Sequence, residues 1–256
     1  MVFKCIIPTM KFTFGVITNN NIQNVNLIID SIEKQCIPEY EVIVVGSDNI
    51  NRNHTISVPF DETTFTGWIT KKKNIITRMA KYENIVYTHD YIILDDNWYN
   101  GMLTYGDNFD IIINKIYNSN GTRFRDWLLN IDFIRGLQFK VHDNLKTPIL
   151  QCPYIWIKNE NYIADALQIP DDTYTIFLNY DDDGEKWQKY MYVSGSFFIC
   201  KKRVMEKYPL NELLLHNQGE DVEWSQRVKN EFKIKFNSHS SVSLLKYKSL
   251  SKSLFV

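Results

Sequence analysis

The run Glu83-Asn84-Ile85-Val86-Tyr87-Thr88-His89-Asp90-Tyr91-Ile92-Ile93-Leu94 is largely apolar, and one imidazole and one carboxylate stand side by side within it. Leaving an unpaired carboxylate at the end of a buried strand is strongly unfavourable, so the pair calls for a partner of opposite charge. A divalent metal ion is the expected one. Asp90 is its anchor, and His89 is either a second ligand or a hydrogen-bonding support.

Two more apolar runs end in groups that could join this pair. Phe12 to Thr18 runs into Asn19-Asn20, and Glu41 to Gly46 runs into Ser47-Asp48-Asn49. In open α/β sheets, ligands bind beyond the carboxyl ends of the strands. A ligand across these three ends meets hydroxyl, amide and carboxylate groups suited to a base, a ribose and a metal-bound diphosphate, with Lys73 nearby as a point charge. Neither the glycine-rich dinucleotide fingerprint nor a P-loop is present, so those two ways of holding phosphates are unsupported.

The elements that must position these groups alternate. After the first strand, Val25, Ile28, Ile29, Ile32 and Cys36 recur at helical spacing and Pro38 marks the stop. Glu41 to Gly46 then reads as a strand buried on both faces, completing a βαβ unit. Asn51 to Thr66 reads as a loop and Trp68 to Lys81 as a helix, in which Lys71-Lys72-Lys73 is a solvated start. Asp110 to Ile116 is a further strand. From Asn118 to Lys189 the periodicity is poor and aromatic residues are frequent. Trp127, Tyr154, Trp156, Tyr162, Tyr174 and Trp187 are core residues or sugar-stacking platforms, and Asp181-Asp182-Asp183-Gly184 is a turn without the spacing of a calcium loop. Tyr192 to Cys200 is again a strand, Lys201 to Tyr208 a short helix, Asp221 to Phe232 a helix, and Lys233 to Phe236 a half-buried strand before Asn237-Ser238-His239.

Composition narrows the function classes. The 29 basic and 30 acidic residues leave no electrostatic footprint for nucleic-acid backbone binding. No apolar run approaches the roughly 20 residues that a spanning helix needs, and the first residues lack a signal-peptide layout, so a soluble cytoplasmic protein is expected. The four cysteines lie far apart with no CxxC spacing, which points to neither a zinc knuckle nor a disulfide framework.

With Thr18, Asn19, Asp48, Lys73-Asn74 and His89-Asp90 in this order, the chain resembles the GT-A-type nucleotide-sugar glycosyltransferases, in particular the inverting family-two-like group. Ser194-Gly195-Ser196 and Gly219-Glu220-Asp221-Val222-Glu223-Trp224 are similar to that group's downstream glycine-containing strand and its Glu-Asp pair opening a helix. Gly121 to Trp127 is similar to a segment of members that carry a His-Asp form of the metal motif. Two departures stand out: Thr88-His89-Asp90 replaces Asp-x-Asp, leaving one carboxylate, and Lys73 stands where the family has Arg.

The resemblance implies a single α/β domain with a mostly parallel sheet sandwiched by helices. Residues of about 12–117 form the nucleotide-sugar half, and about 118–250 the acceptor and catalytic half. It implies a sugar transferred with inversion from a uridine diphosphate sugar to a glycan, protein or lipid-linked hydroxyl, assisted by manganese or magnesium. Asp221 is then the base that takes the acceptor proton, with Glu220 orienting the acceptor or sharing that role. Thr18, Asn19, Asp48, Lys73 and Asn74 would hold the donor, and Asp90, His239 and His89 the metal. The rival functions are a sugar nucleotidyltransferase, which would release pyrophosphate, and a non-catalytic glycan-binding relative.

Overall fold

The computed structural model describes residues 9–130, 154–158, 161–163, 175–178, 191–214 and 218–248. The chain opens β1 (Phe12–Ile17), α1 (Ile22–Glu33), β2 (Tyr40–Val45), β3 (Thr55–Val58), α2 (Ile69–Met79) and β4 (Asn84–His89). These strands lie parallel in the order β3-β2-β1-β4, so the ends carrying Thr18, Ser47 and His89 share one edge of the sheet. β1 is buried along its whole length, as a strand covered on both faces must be. α1 covers one face with Val25, Ile28, Ile29 and Ile32, and the Asn21 side chain caps its start by accepting from the Asn24 backbone N–H. Cys36 falls beyond the helix, in a left-handed turn. On the other face α2 packs so closely on β1 that a Cβ at Gly15 would stand 2.4 Å from Ile76 Cγ2.

β5 (Ile92–Leu94), α3 (Trp98–Tyr105), β6 (Ile111–Tyr117) and β7 (Arg123–Phe124) follow. A second sheet, antiparallel in each pairing and ordered β10-β9-β11-β8-β12, is built from β8 (Leu128–Asn130), β9 (Tyr154–Lys158), β10 (Asn161–Ile163), β11 (Thr175–Leu178) and β12 (Met191–Tyr192). The chain then re-enters the main sheet as β13 (Phe197–Lys201), followed by α4 (Lys202–Lys207), α5 (Glu220–Val228) and β14 (Ile234–Leu244). β13 lies antiparallel between β4 and β6, and β14 pairs with β6 and β5, giving the order β4-β13-β6-β14-β5. The sheet curls so far that the Leu245 N–H donates to the Tyr91 carbonyl at 2.8 Å, just after the end of β4.

Three expectations are corrected. The segment Asn51–Thr66 contains an edge strand, β3, whose alternation is short and half exposed. Tyr192 to Cys200 is two strands, because Ser194 to Ser196 turns the chain out of one sheet and into the other, closed by Phe197 N–H donating to Ser194 O at 3.1 Å. The last strand does not stop at Phe236. It runs to Leu244 through a bulge between Asn237 and Ser241, which puts His239 inside the strand.

One tight contact shapes the ligand edge. Gly46 has φ +109°, and a Cβ there would lie 1.9 Å from the Thr18 carbonyl oxygen. Gly46→Ala is therefore expected to cost on the order of 1–3 kcal/mol, from the left-handed backbone and the forced separation of β1 from β2. Thermal unfolding checks it, and a midpoint equal to that of the wild type would count against the contact.

Candidate functional site

At the shared edge of β1, β2 and β4 the polar groups are wired together. The Thr18 hydroxyl donates to Asp90 Oδ2 at 2.6 Å and accepts from the Asn21 N–H at 3.0 Å. The Asp90 N–H donates to Ile17 O at 3.1 Å, which extends the β1–β4 pairing one step beyond β4. Asp90 is thus fixed by its backbone and by one carboxylate oxygen, while Oδ1 has no partner among the described residues. Asn19 and Asp48 are exposed on the loops after β1 and β2, where Ser47 Oγ donates to Asn20 Oδ1 at 3.2 Å and ties the two loops together.

The second group comes from residues far apart in sequence. Lys73, 1% exposed on α2, donates from Nζ to Gly195 O at 2.7 Å. The Gly195 N–H donates to Asp221 Oδ2 at 2.9 Å. Asp221 and Glu220 open α5, whose first residue follows Gly219 in the left-handed conformation. A Cβ at 195 would lie 2.8 Å from Glu220 Oε1 and 3.0 Å from Asp221 Oδ2, so a larger residue there would push the two carboxylates aside. Burial pushes the Lys73 ammonium below its ordinary range, and the charges of Glu220 and Asp221 pull it back. Burial, and then the neighbouring Asp221 charge, hold the Glu220 carboxyl above its ordinary range, with Lys73 opposing. The cluster is one buried cation serving two acids, of which Asp221 is the more open.

Ser196 joins the two groups. Its carbonyl accepts the His89 N–H at 3.1 Å, and its hydroxyl lies 3.0 Å from the Tyr91 hydroxyl. Thr18 and Asp90 therefore stand across one residue from Gly195, Glu220 and Asp221.

Among solved structures this chain is similar to S. aureus TarS. Against TarS 1-349 the TM-score is 0.56 at 13% identity, over 92% of this chain and 60% of that one. Against TarS 1-349 in complex with UDP-GlcNAc it is 0.56 at 14% identity, over 94% and 61%. The complex with UDP gives 0.53 at 13% identity, over 92% and 61%. The fold is TarS-like. The expected GT-A-like α/β architecture is thereby shown, and this chain spans about three fifths of the TarS fragment's length. No protein-family model matches the sequence, and no curated protein sequence does either.

The remaining expected residues stand as follows. Asn74 is buried with its amide committed to the loop after α4, donating to Leu210 O and Glu212 Oε1 and accepting the Leu210 N–H, so it positions that loop. His239 is exposed at the bulge of β14, and its carbonyl crowds Gly101 of α3, where a Cβ would come within 2.2 Å. That neighbourhood is α3, several residues along the strand from the Tyr91 corner. His89 packs edge-on against Tyr91 with ring centroids 5.4 Å apart. Arg123 and Asp126, in the segment similar to the His-Asp members, form a buried ion pair at 2.7 Å, and Asp126 also accepts the Ile116 N–H. Trp127 is core, packed on Phe236, whereas the side chains of Tyr154, Trp156, Tyr162, Tyr174 and Trp187 and the Asp181–Gly184 turn lie outside the described residues.

Sequence reasoning missed Lys72. It is not solvated: at 3% exposure its Nζ donates to Thr18 O at 2.7 Å and pairs with Glu62, whose other oxygen accepts the Gly67 N–H. Lys72 thus ties the loop before α2 to the end of β1. A run of three lysines carries no sign of which are buried, since only the fold supplies the carbonyls they reach.

A divalent ion finds a sparse donor set. Among the described residues no three His, Cys, Asp or Glu side chains converge, and Asp90 offers one oxygen, because Oδ2 is engaged by Thr18. A protein-built cage does not fit these residues.

Proposed function

We propose that this protein is an inverting glycosyltransferase that moves a sugar from a uridine diphosphate sugar to a hydroxyl acceptor. The observation that carries the reading is the meeting of Lys73, Gly195, Glu220 and Asp221 beside the strand ends that hold Thr18 and Asp90. The likeness to TarS, crystallised with UDP and with UDP-GlcNAc, supports a nucleotide-sugar donor. The base and ribose lie over the exposed Asn19 and Asp48, and the diphosphate lies toward Asp90. Asp221 faces the acceptor. Its carboxylate takes the hydroxyl proton as that oxygen attacks the anomeric carbon, and the bond from that carbon to the diphosphate oxygen breaks with its electron pair leaving on UDP. Glu220, poised above the ordinary carboxylate range, orients the acceptor hydroxyl.

Calorimetric titration with UDP and UDP-GlcNAc, followed by assay for released UDP, tests this. Binding with UDP release supports the reading. Release of pyrophosphate would replace it with nucleotidyl transfer, and binding of neither nucleotide would end it.

The raised Glu220 also sets a pH dependence. Its carboxyl gives up its proton at higher pH than an ordinary carboxylate, so the acidic limb of kcat/KM is expected to be shifted upward. Glu220→Gln cannot titrate and should move the limb to lower pH, whereas an identical limb in that variant would remove Glu220 from the ionisation that matters.

A further inference from the structure

At Tyr91, the residue after Asp90, the curled sheet brings lysines from just after β14 onto one phenol. Lys246 Nζ lies 5.2 Å and Lys248 Nζ 5.0 Å from the centroid of the Tyr91 ring. Lys248 Nζ also donates to the Tyr91 hydroxyl at 3.3 Å and stands 5.9 Å from the centroid of the Phe124 ring. The Lys248 N–H donates to Asn118 Oδ1 at 3.0 Å, which fixes the segment against the end of β6. Neither ammonium pairs with a carboxylate among the described residues, although ion pairs are plentiful elsewhere on the chain.

The surroundings of Lys248 sharpen this. Burial lowers its ammonium below the ordinary range, and the charged neighbour acting on it, Arg125, is a second cation that lowers it further. Ring contacts of this kind do not remove the repulsion between like charges. An anion placed between Lys246 and Lys248 would relieve it. Tyr91 directly follows Asp90 and its hydroxyl lies 3.0 Å from the Ser196 hydroxyl, so the lysines gather two residues beyond the end of β4.

We propose that Lys246 and Lys248, gathered on Tyr91 beside Asp90, hold the diphosphate of the donor and take up the charge of the departing nucleoside diphosphate. This rests on the donor assigned above and deepens it. Charge that a second carboxylate and its ion would supply at Thr88 is supplied here by ammonium groups from the opposite end of the chain. No new bond is made by the lysines. They stabilise the pair of electrons that the diphosphate oxygen receives when the anomeric bond breaks.

Titration of UDP, uridine, inorganic pyrophosphate and inorganic phosphate in EDTA, on wild type, Lys246→Ala, Lys248→Gln and the double variant, tests the proposal. Lys246 is exposed, and Gln at 248 keeps a donor for the Tyr91 hydroxyl, so the melting temperatures should match wild type. The expected result is UDP and pyrophosphate bound about 10–100-fold more weakly by the double variant, uridine unchanged, and Lys248→Arg close to wild type. Pyrophosphate binding without UDP binding would keep the diphosphate site and overturn the donor reading. UDP affinity within twofold of wild type in the double variant overturns the proposal. So does a loss confined to inorganic phosphate, which would assign the lysines to an anionic acceptor.

Discussion

Asp221→Asn is expected to lower turnover of a uridine diphosphate sugar by about 10³-fold, within the range of roughly 10²–10⁴ that a positioned general base contributes. The fold should survive, because the amide oxygen can still accept the Gly195 N–H that Asp221 Oδ2 accepts at 2.9 Å. The variant therefore separates chemistry from architecture: UDP affinity and the melting temperature stay close to wild type while kcat falls. Loss of UDP binding in step with kcat would place Asp221 in donor binding, and retained turnover would remove it from the reaction.

Lys73→Met is expected to be the most destabilising change at the site, costing on the order of 3–5 kcal/mol. The substitution fills much of the same volume but strips the cation from a buried cluster, leaving Glu220 and Asp221 to repel each other and the Gly195 carbonyl without its donor. The direction of the pH dependence follows. An acid whose folded-state pKa is raised destabilises the fold once it ionises, so stability is full below the unfolded pKa and is lost as pH rises through the folded one. Without Lys73 that loss should deepen, so the deficit of the variant grows from acidic to neutral pH. Lys73→Met combined with Glu220→Gln should recover part of it. Chemical unfolding at two pH values measures both effects. A deficit independent of pH, with no recovery in the double variant, would reduce Lys73 to a packing residue.

Much of the parallel half was legible because its strands are continuous apolar runs bounded by turn residues, and Thr18, Asp48 and Asp90 follow directly from where those runs stop. What stayed hidden depends on pairing between distant segments. Asn237-Ser238-His239 reads as the loop after a strand ending at Phe236, yet Asn237 donates to Ser240 and Ser240 donates to Trp98 O, so the strand passes through. Tyr192 to Cys200 reads as one strand because nothing local says that its two ends belong to different sheets. Lys72 and Lys73 read as solvated because their acceptors, Thr18 O and Gly195 O, are 54 and 122 residues away. The same holds for Lys246 and Lys248, which acquire meaning only when β14 reaches Tyr91.

That closure also dictates an order of assembly. β1, β2 and β4 and their helices draw on nearby chain and can pair early, whereas Ile92–Leu94 must wait for Val242–Leu244. Contacts of such long sequence separation form slowly. During synthesis, the strand ends that carry Thr18 and Asp90 can be in place while Lys246 and Lys248 have yet to be translated, so under the proposed donor site a nascent chain would seat a nucleoside before it could grip a phosphate.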